Sequence, residues 1–266
     1  ASPIIFTSGV LPGYVQFFVD FTQEDGSPRG ALPPYDIANL RIRYSDIRTP
    51  LVTSAWRGLG AAPNTFAVES IMDELAFATG IDPVEFRLRN LSATHVRLKG
   101  VIKAVAKASN WGVSPLPNHG RGMACAIYKK PPVAVVVEVR VDPSAKDIKV
   151  TRAWIAQDCG LVINPDQVKA QAEGNLMWGI SFALKERLLL KDGRIEASNF
   201  DQYPVARMTD APEIHVELVE RGADPPVGAG EPAIAPTPAA VANAIYAATG
   251  KRARRLPIAF EDIRSA

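Results

Sequence analysis

Val133-Ala134-Val135-Val136-Val137 is a run of apolar, mostly β-branched residues, and the strand it begins alternates in polarity only near its end at Val141. A strand exposed on one face alternates throughout, whereas an unbroken apolar run calls for cover on both faces, as in a sheet packed between helices. Met123 to Tyr128 and Ile148 to Ala156 read as flanking strands, set off by turns rich in Pro and Asp. Ile214-His215-Val216-Glu217-Leu218 alternates as a half-buried strand, and Leu188 to Ile195 around Asp192-Gly193 reads as a tight hairpin.

The covering helices announce themselves by caps. Pro63 with Asn64 or Thr65 opens a helix whose apolar positions Phe66, Ile71, Met72, Leu75 and Ala76 recur at helical spacing up to Gly80. Asp82-Pro83-Val84-Glu85 supplies an N-cap, a proline in the first turn and an acid, so a short helix runs to about Asn90. A further helix is expected over Leu98 to Ser109, with Val101, Ile102, Val105 and Ala106 inward. Asn164-Pro165-Asp166-Gln167 repeats the capping logic for a helix to about Leu184, with Gly174 and Gly179 as close-packing positions. Thr237 is expected to cap a last helix with Ala242, Ile245, Tyr246 and Ala248 on its inner face and Gly250 as its stop. Residues 1–50 read as extended, with strands at Val15 to Phe21 and Leu40 to Tyr44. The fold class is α+β, mixed sheets with packed helices, divided near position 120 into parts 1–120 and 121–266.

With 266 residues, 47% of them hydrophobic, the chain can fill a substantial core, and a net charge of +2 provides no overall field for nucleic acid or an anionic membrane. The basic cluster Lys251-Arg252-Ala253-Arg254-Arg255 follows a helix end, where cations oppose the macrodipole, and reads as a solvated terminus or subunit contact. Cys125 and Cys159 lie in apolar segments that read as strands, as core thiols; His95, His119 and His215 lie far apart, so a zinc site is not expected. The sequence lacks a run of about 18 apolar residues, as a membrane-spanning helix needs.

Two glycine-containing loops carry the chemistry. Gly228-Ala229-Gly230-Glu231-Pro232 sets one carboxylate among small residues, where glycines permit unusual backbone angles and close approach of a ligand, and such a group suits general-base work. Gly58-Leu59-Gly60-Ala61-Ala62-Pro63 superficially resembles a dinucleotide loop. Pro63 replaces the third small residue and no acid follows at the end of a second strand, so a Rossmann unit is not expected. Its backbone N–H groups near a helix start would suit an anionic or oxo-bearing ligand. Gln157 and Gln171 are further polar candidates, Asn164 is better explained as an N-cap, and the four tryptophans are expected in the core or interfaces.

Together these segments resemble the molybdenum-binding subunit of the xanthine dehydrogenase and aldehyde oxidase family, in particular its isoquinoline 1-oxidoreductase-like branch. The resemblance spans nearly the whole chain. It is carried by Trp56 to Gly60, Val68-Glu69-Ser70-Ile71-Met72-Asp73-Glu74-Leu75-Ala76 and Gly80-Ile81-Asp82-Pro83-Val84-Glu85-Phe86-Arg87. It continues through Asp158-Cys159-Gly160, Ile163-Asn164-Pro165-Asp166, Gln171-Ala172-Glu173-Gly174, Ser198-Asn199-Phe200-Asp201-Gln202-Tyr203, Gly228 to Pro232 and Ala242 to Gly250.

The resemblance implies hydroxylation of an aldehyde or N-heteroaromatic carbon with water as oxygen source, Glu231 being the catalytic general base. It implies that Arg57, Gly58, Leu59, Gly60, Gly228, Ala229 and Gly230 lie against the cofactor, which in bacterial relatives is molybdopterin cytosine dinucleotide with molybdenum. Leu59 stands where the family often has an aromatic residue, which weakens any expectation of substrate stacking there. The Gly-Gln-Gly and Gly-Gly-Phe-Gly stretches of such subunits are not found here. A partner chain with the N-terminal part of the molybdenum subunit is therefore expected, with a second partner bearing two [2Fe-2S] clusters, since two cysteines cannot ligate them. By the same resemblance the bacterial periplasm is slightly favoured over the cytoplasm. The alternative is a noncatalytic assembly or scaffold domain that keeps the fold without the cofactor.

Overall fold

The structure, a computed structural model, describes residues 26–45 and 54–263. The strand expected at Val15 to Phe21 lies outside them. Three helices come first: α1 (Ala61–Thr79), α2 (Pro83–Asn90) and α3 (Val96–Ala108). Strands β1 (His119–Ile127), β2 (Pro132–Asp142) and β3 (Asp147–Gln157) follow as an antiparallel meander, then helix α4 (Pro165–Leu184). A short hairpin pairs β4 (Leu190–Lys191) with β5 (Arg194–Ile195). Strand β6 (Glu213–Leu218) adds parallel to β3, giving the order β1-β2-β3-β6, and α5 (Thr237–Thr249) closes the chain's regular structure. No described helix is long and apolar enough to cross a membrane.

The both-face cover expected of β2 is present. Ala134 and Val136 join Met123, Cys125, Trp154 and Ala156 in one apolar cluster with Leu98, Val101, Ile102 and Val105 of α3. Val133, Val135, Val137 and Val139 point the other way, into a second cluster with Leu176 and Ile180 of α4 and Ala240, Val241 and Ile245 of α5. Residues on both sides of position 120 share the first cluster. The approach of α5 depends on Gly122 in β1, where an added Cβ would stand 2.1 Å from the Ala244 backbone nitrogen.

Several local expectations change. Helix α5 is buried on all sides from Thr237 to Ile245, not along one stripe, because β1, β2, α1 and α4 all pack on it. Thr237 is its first helical residue and not its cap; buried there, its hydroxyl donates back to the Ala233 carbonyl at 2.6 Å. Helix α1 buries Met72 and Ala76 as expected, but it also turns Glu69 and Asp73 inward and leaves Ile71 and Leu75 about half exposed. The reason is charge: Arg87, itself buried, donates to Glu69 at 2.8 Å, and Arg252 reaches Asp73 at 2.6 Å. The basic cluster after α5 is thus partly a clamp on α1, with Arg254 paired to Glu74. Leu40 to Tyr44 form no strand and are exposed, and Cys159 lies beyond the end of β3. At the hairpin tip Asp192 and Gly193 both take positive φ, as an inverted two-residue turn requires.

Candidate active site

The Glu231 loop is held by the ends of two neighbouring strands. Past β3 and β6 the chain continues in paired loops: Val219 N–H donates to Gln157 O, Leu161 N–H to Asp224 O and Val227 N–H to Cys159 O, at 2.9–3.0 Å. Asp158 is the fixed point, accepting from Arg97 at 2.6 Å, Arg221 at 3.0 Å and the Gly160 N–H at 3.0 Å. Burial pushes this carboxyl up, but those donors and charges outweigh it and hold Asp158 below its ordinary value. Gly160 has φ +72°, and a Cβ there would lie 2.3 Å from the Pro225 carbonyl oxygen, so the motif Asp158-Cys159-Gly160 works as the anchor of loop 219–231.

The second loop meets the first at Glu231. Gly58, at φ +85°, donates its N–H to Glu231 Oε1 at 3.1 Å, and the Tyr128 hydroxyl donates to Oε2 at 2.8 Å. Arg57 extends alongside, giving Nε to the Gly230 carbonyl at 2.9 Å and Nη2 to Gln171 Oε1 at 2.5 Å. Asn175 Nδ2 donates to the same Gly230 carbonyl at 3.0 Å, and Gln157 Nε2 to that of Ala229 at 3.4 Å. Burial lowers the Arg57 guanidinium from its ordinary value, and the Glu231 charge opposes that shift. Two segments 173 residues apart are thereby fastened at two successive positions, the Gly230 carbonyl and the Glu231 carboxylate.

Glu231 is half-buried and lines a cavity of about 390 Å³ with Tyr128, Lys129, Lys130, Pro131, Pro226, Val227, Gly228 and Gly230. That size falls among small-molecule pockets, roughly 300–1,000 Å³. Of the sequence-predicted residues, Arg57, Gly58, Gly230 and Glu231 come together directly. Leu59 and Gly60 stand behind them in the turn into α1. Three N–H groups of this turn are taken up by backbone carbonyls: Leu59 N–H bonds to Trp56 O, Gly60 to Gly26 O and Ala61 to Gly58 O, as the turn tightens into the helix. Gly228 and Gly230 avoid positive φ, so their contribution is space and not backbone angle. Among the described residues, chain neighbours aside, no atom lies within 4 Å of where a Gly228 Cβ would stand, and only Gln171 Oε1, at 3.9 Å, is near that of Gly230. A bulky ligand can therefore lie against this glycine face.

Buried Gln157 Oε1 and Asn175 Oδ1, behind the loop, have no partner among the described residues. Tyr128 and Arg29 escape a reading by motif. The one local signal is a tyrosine just past the apolar end of β1, where a buried hydroxyl needs an acceptor. Gln167 N–H caps onto Asn164 as expected, at 3.1 Å. Trp56 packs on Trp178 and Phe182, with ring centroids 5.5 and 5.3 Å away, beside Arg57.

Comparison with known proteins bears on this arrangement. Molybdopterin cofactor-binding domain profiles match residues 67–212 and 26–91. The chain is 40% identical to a nicotinate dehydrogenase subunit of Pseudomonas putida over 90% of this chain and 21% of that protein. It is 37% identical to the beta subunit of isoquinoline 1-oxidoreductase from Brevundimonas diminuta over 92% of this chain and 32% of that one. The chain thus spans a fifth to a third of the length of these curated relatives. Among solved structures, quinoline 2-oxidoreductase from Pseudomonas putida 86 superposes with a TM-score of 0.70 at 14% identity, over 79% of this chain and 52% of that one. The aldehyde oxidoreductase from Desulfovibrio gigas gives 0.66 at 16%, over 79% and 41%. At such identities these two likenesses establish a shared α+β fold.

Proposed function

We propose, on the premise that this chain belongs to the molybdopterin cofactor-binding family of molybdenum-binding subunits of xanthine dehydrogenases and aldehyde oxidoreductases, that it supplies the general base of a molybdenum hydroxylase site. The observation that carries the reading is the double fixing of Glu231, by Gly58 N–H on one oxygen and Tyr128 O–H on the other, at the wall of a cavity of small-substrate size. The overall change is R–H + H2O → R–OH + 2 electrons + 2 protons. The molybdenum cofactor, when bound, supplies the two-electron oxidant and the site at which water is activated. Glu231 takes a proton from the oxygen that is being transferred to carbon, and its two fixed donors leave lone pairs on both carboxylate oxygens for that purpose. Arg57, itself held by Gln171 Oε1, and Asn175 hold the Gly230 carbonyl so that the carboxylate stays in place as the proton arrives. Gly228, Ala229 and Gly230 form the open face against which the cofactor would lie, with Arg57 to Gly60 behind the base.

The substrate class is an N-heteroaromatic ring or an aldehyde. The two relatives above are named for N-heterocycles, which favours the first, while a membrane-bound aldehyde dehydrogenase of Gluconacetobacter polyoxogenes at 28% identity keeps the second. The cofactor in its cytosine dinucleotide form, a chain carrying the rest of the molybdenum subunit and a [2Fe-2S] protein as electron outlet complete the proposed enzyme. Its test is Glu231→Gln in the assembled holoenzyme. Turnover should fall roughly 10²- to 10⁴-fold, the contribution of a general base, with molybdenum content and thermal stability retained. Turnover within a few-fold of wild type would reject the role and favour the scaffold alternative.

A further inference from the structure

The arrangement around Tyr128 goes beyond the base itself. Its ring is 3% exposed and belongs to the apolar cluster between the sheet and α5, so the hydroxyl is carried on a stiff mount. Among the described residues that hydroxyl makes two polar contacts: it lies 2.8 Å from Arg29 Nη1 and 2.8 Å from Glu231 Oε2. A guanidinium can only donate and a carboxylate can only accept. The phenol's single proton is therefore committed to Glu231, and Arg29 fixes that direction by occupying the acceptor side of the oxygen. The Arg29 guanidinium also lies 5.2 Å from the Tyr128 ring centroid, holding it over the ring.

The backbone contributes as well. Tyr128 sits where β1 turns into β2, and its N–H donates to Pro131 O at 3.1 Å while its carbonyl accepts from Lys130 N–H at 2.8 Å. The position of the hydroxyl is thus set by the sheet and is independent of loop 219–231. Gly58 fixes the other carboxylate oxygen from the turn before α1, so Glu231 is gripped from two elements that do not belong to its own loop. A carboxylate held by one donor can rotate about its terminal bond, whereas one held on both oxygens has a single orientation. In a site where displacement by about 1 Å costs up to about 100-fold, that difference is felt in turnover.

We propose that Tyr128, aligned by Arg29, is the positioning residue that aims Glu231, a one-way hydrogen-bond chain Arg29 to Tyr128 to Glu231. The proposal rests on Glu231 being the base. Burial first, and then the hydrogen bond and charge of Glu231, push the Tyr128 phenol up to about 12, with Arg29 opposing, so the phenol stays a donor through the working range.

The test is a double-mutant cycle in the assembled holoenzyme. Tyr128→Phe keeps the ring and should lower kcat about 10- to 100-fold, with KM and molybdenum content within twofold of wild type. In the Glu231→Gln background the same change should cost less than twofold, since the group being aimed is gone. Arg29→Lys, which keeps a donor, should lose less than Arg29→Ala. An independent readout is the ultraviolet titration of the phenol, assigned by difference against Tyr128→Phe: Glu231→Gln should move it down from about 12. Equal losses in both backgrounds, or a phenol titration unmoved by Glu231→Gln, would overturn the proposal. Full activity of Glu231→Gln would instead remove the base reading beneath it.

Discussion

Glu69 and Glu231 are built from the same parts and end in opposite states. Each accepts from a tyrosine hydroxyl and a backbone N–H, and each has an arginine at hand: Tyr35, Cys125 N–H and Arg87 for Glu69, Tyr128, Gly58 N–H and Arg57 for Glu231. At Glu69 the arginine bonds the carboxylate itself, and both side chains are fully buried. At Glu231 the arginine turns to the Gly230 carbonyl, and the carboxylate keeps capacity beside a cavity. The difference lies in where the guanidinium is directed. A fully paired buried charge is a structural joint, while one held by neutral donors at a pocket wall can exchange a proton.

The sharpest way to break this contrast is to neutralise each acid in turn. Glu231→Gln should leave thermal stability within about 1 kcal/mol while removing turnover, because a half-exposed carboxylate with neutral donors is readily replaced by its amide. Glu69→Gln should do the reverse. It leaves Arg87 buried with Asp73, 3.9 Å away, as its remaining anion, at a cost of roughly 3–5 kcal/mol in chemical denaturation. Any molecules that still assemble should turn over normally. Equal stability loss at both sites would mean that the two clusters do the same job.

A smaller effect is expected at the arginines. Arg57→Lys keeps the charge but cannot reproduce the fork between Gly230 and Gln171, so kcat should fall on the order of tenfold with an unchanged melting temperature. Gly160→Ala lies between the two regions in kind. It forces a side chain into positive φ and against Pro225, should cost about 1–3 kcal/mol, and should loosen loop 219–231 enough to be seen as faster amide exchange at Val227. A Gly160→Ala protein as stable as wild type would show that the Asp158 anchor is not what holds the catalytic loop.

How much of this could be read from residues alone follows from the range of the interactions. The Val133 to Val137 run, the Asp82 and Asn164 caps and the Asp192-Gly193 turn are local signals, and the corresponding elements stand where the sequence puts them. The inward face of α1 was legible at Met72 and Ala76 but not at Glu69 and Asp73, which are drawn in by arginines 18 and 179 residues away, while Ile71 and Leu75 stay about half exposed. Thr237 looks like a cap until α5 proves to be central, where its hydroxyl can only turn back on the chain. At the site, the two glycine loops were visible as motifs. Tyr128 and Arg29 were not, because 103 and 99 residues separate the partners and neither position belongs to a motif.

The faintest distinction between the two clusters lies in their tyrosines, and alkaline pH resolves it. Burial, then the charges of Cys125 and Glu69, raise Tyr35 well above its ordinary value, and burial with Glu231 raises Tyr128 to about 12. An unfolded tyrosine releases its proton near pH 10. Between that point and the folded values the unfolded chain binds fewer protons than the native one, so stability must fall as pH rises, having been fully present below about pH 10. Tyr35→Phe should flatten this alkaline limb more than Tyr128→Phe, because the Tyr35 hydroxyl lies against the fully buried Glu69 carboxylate while that of Tyr128 lies against the half-buried Glu231. Denaturation midpoints measured from about pH 8 to about pH 11 would show it. A limb flattened equally by both substitutions would mean that the difference in burial of the two carboxylates does nothing to separate the Glu231 cluster from the one around Glu69.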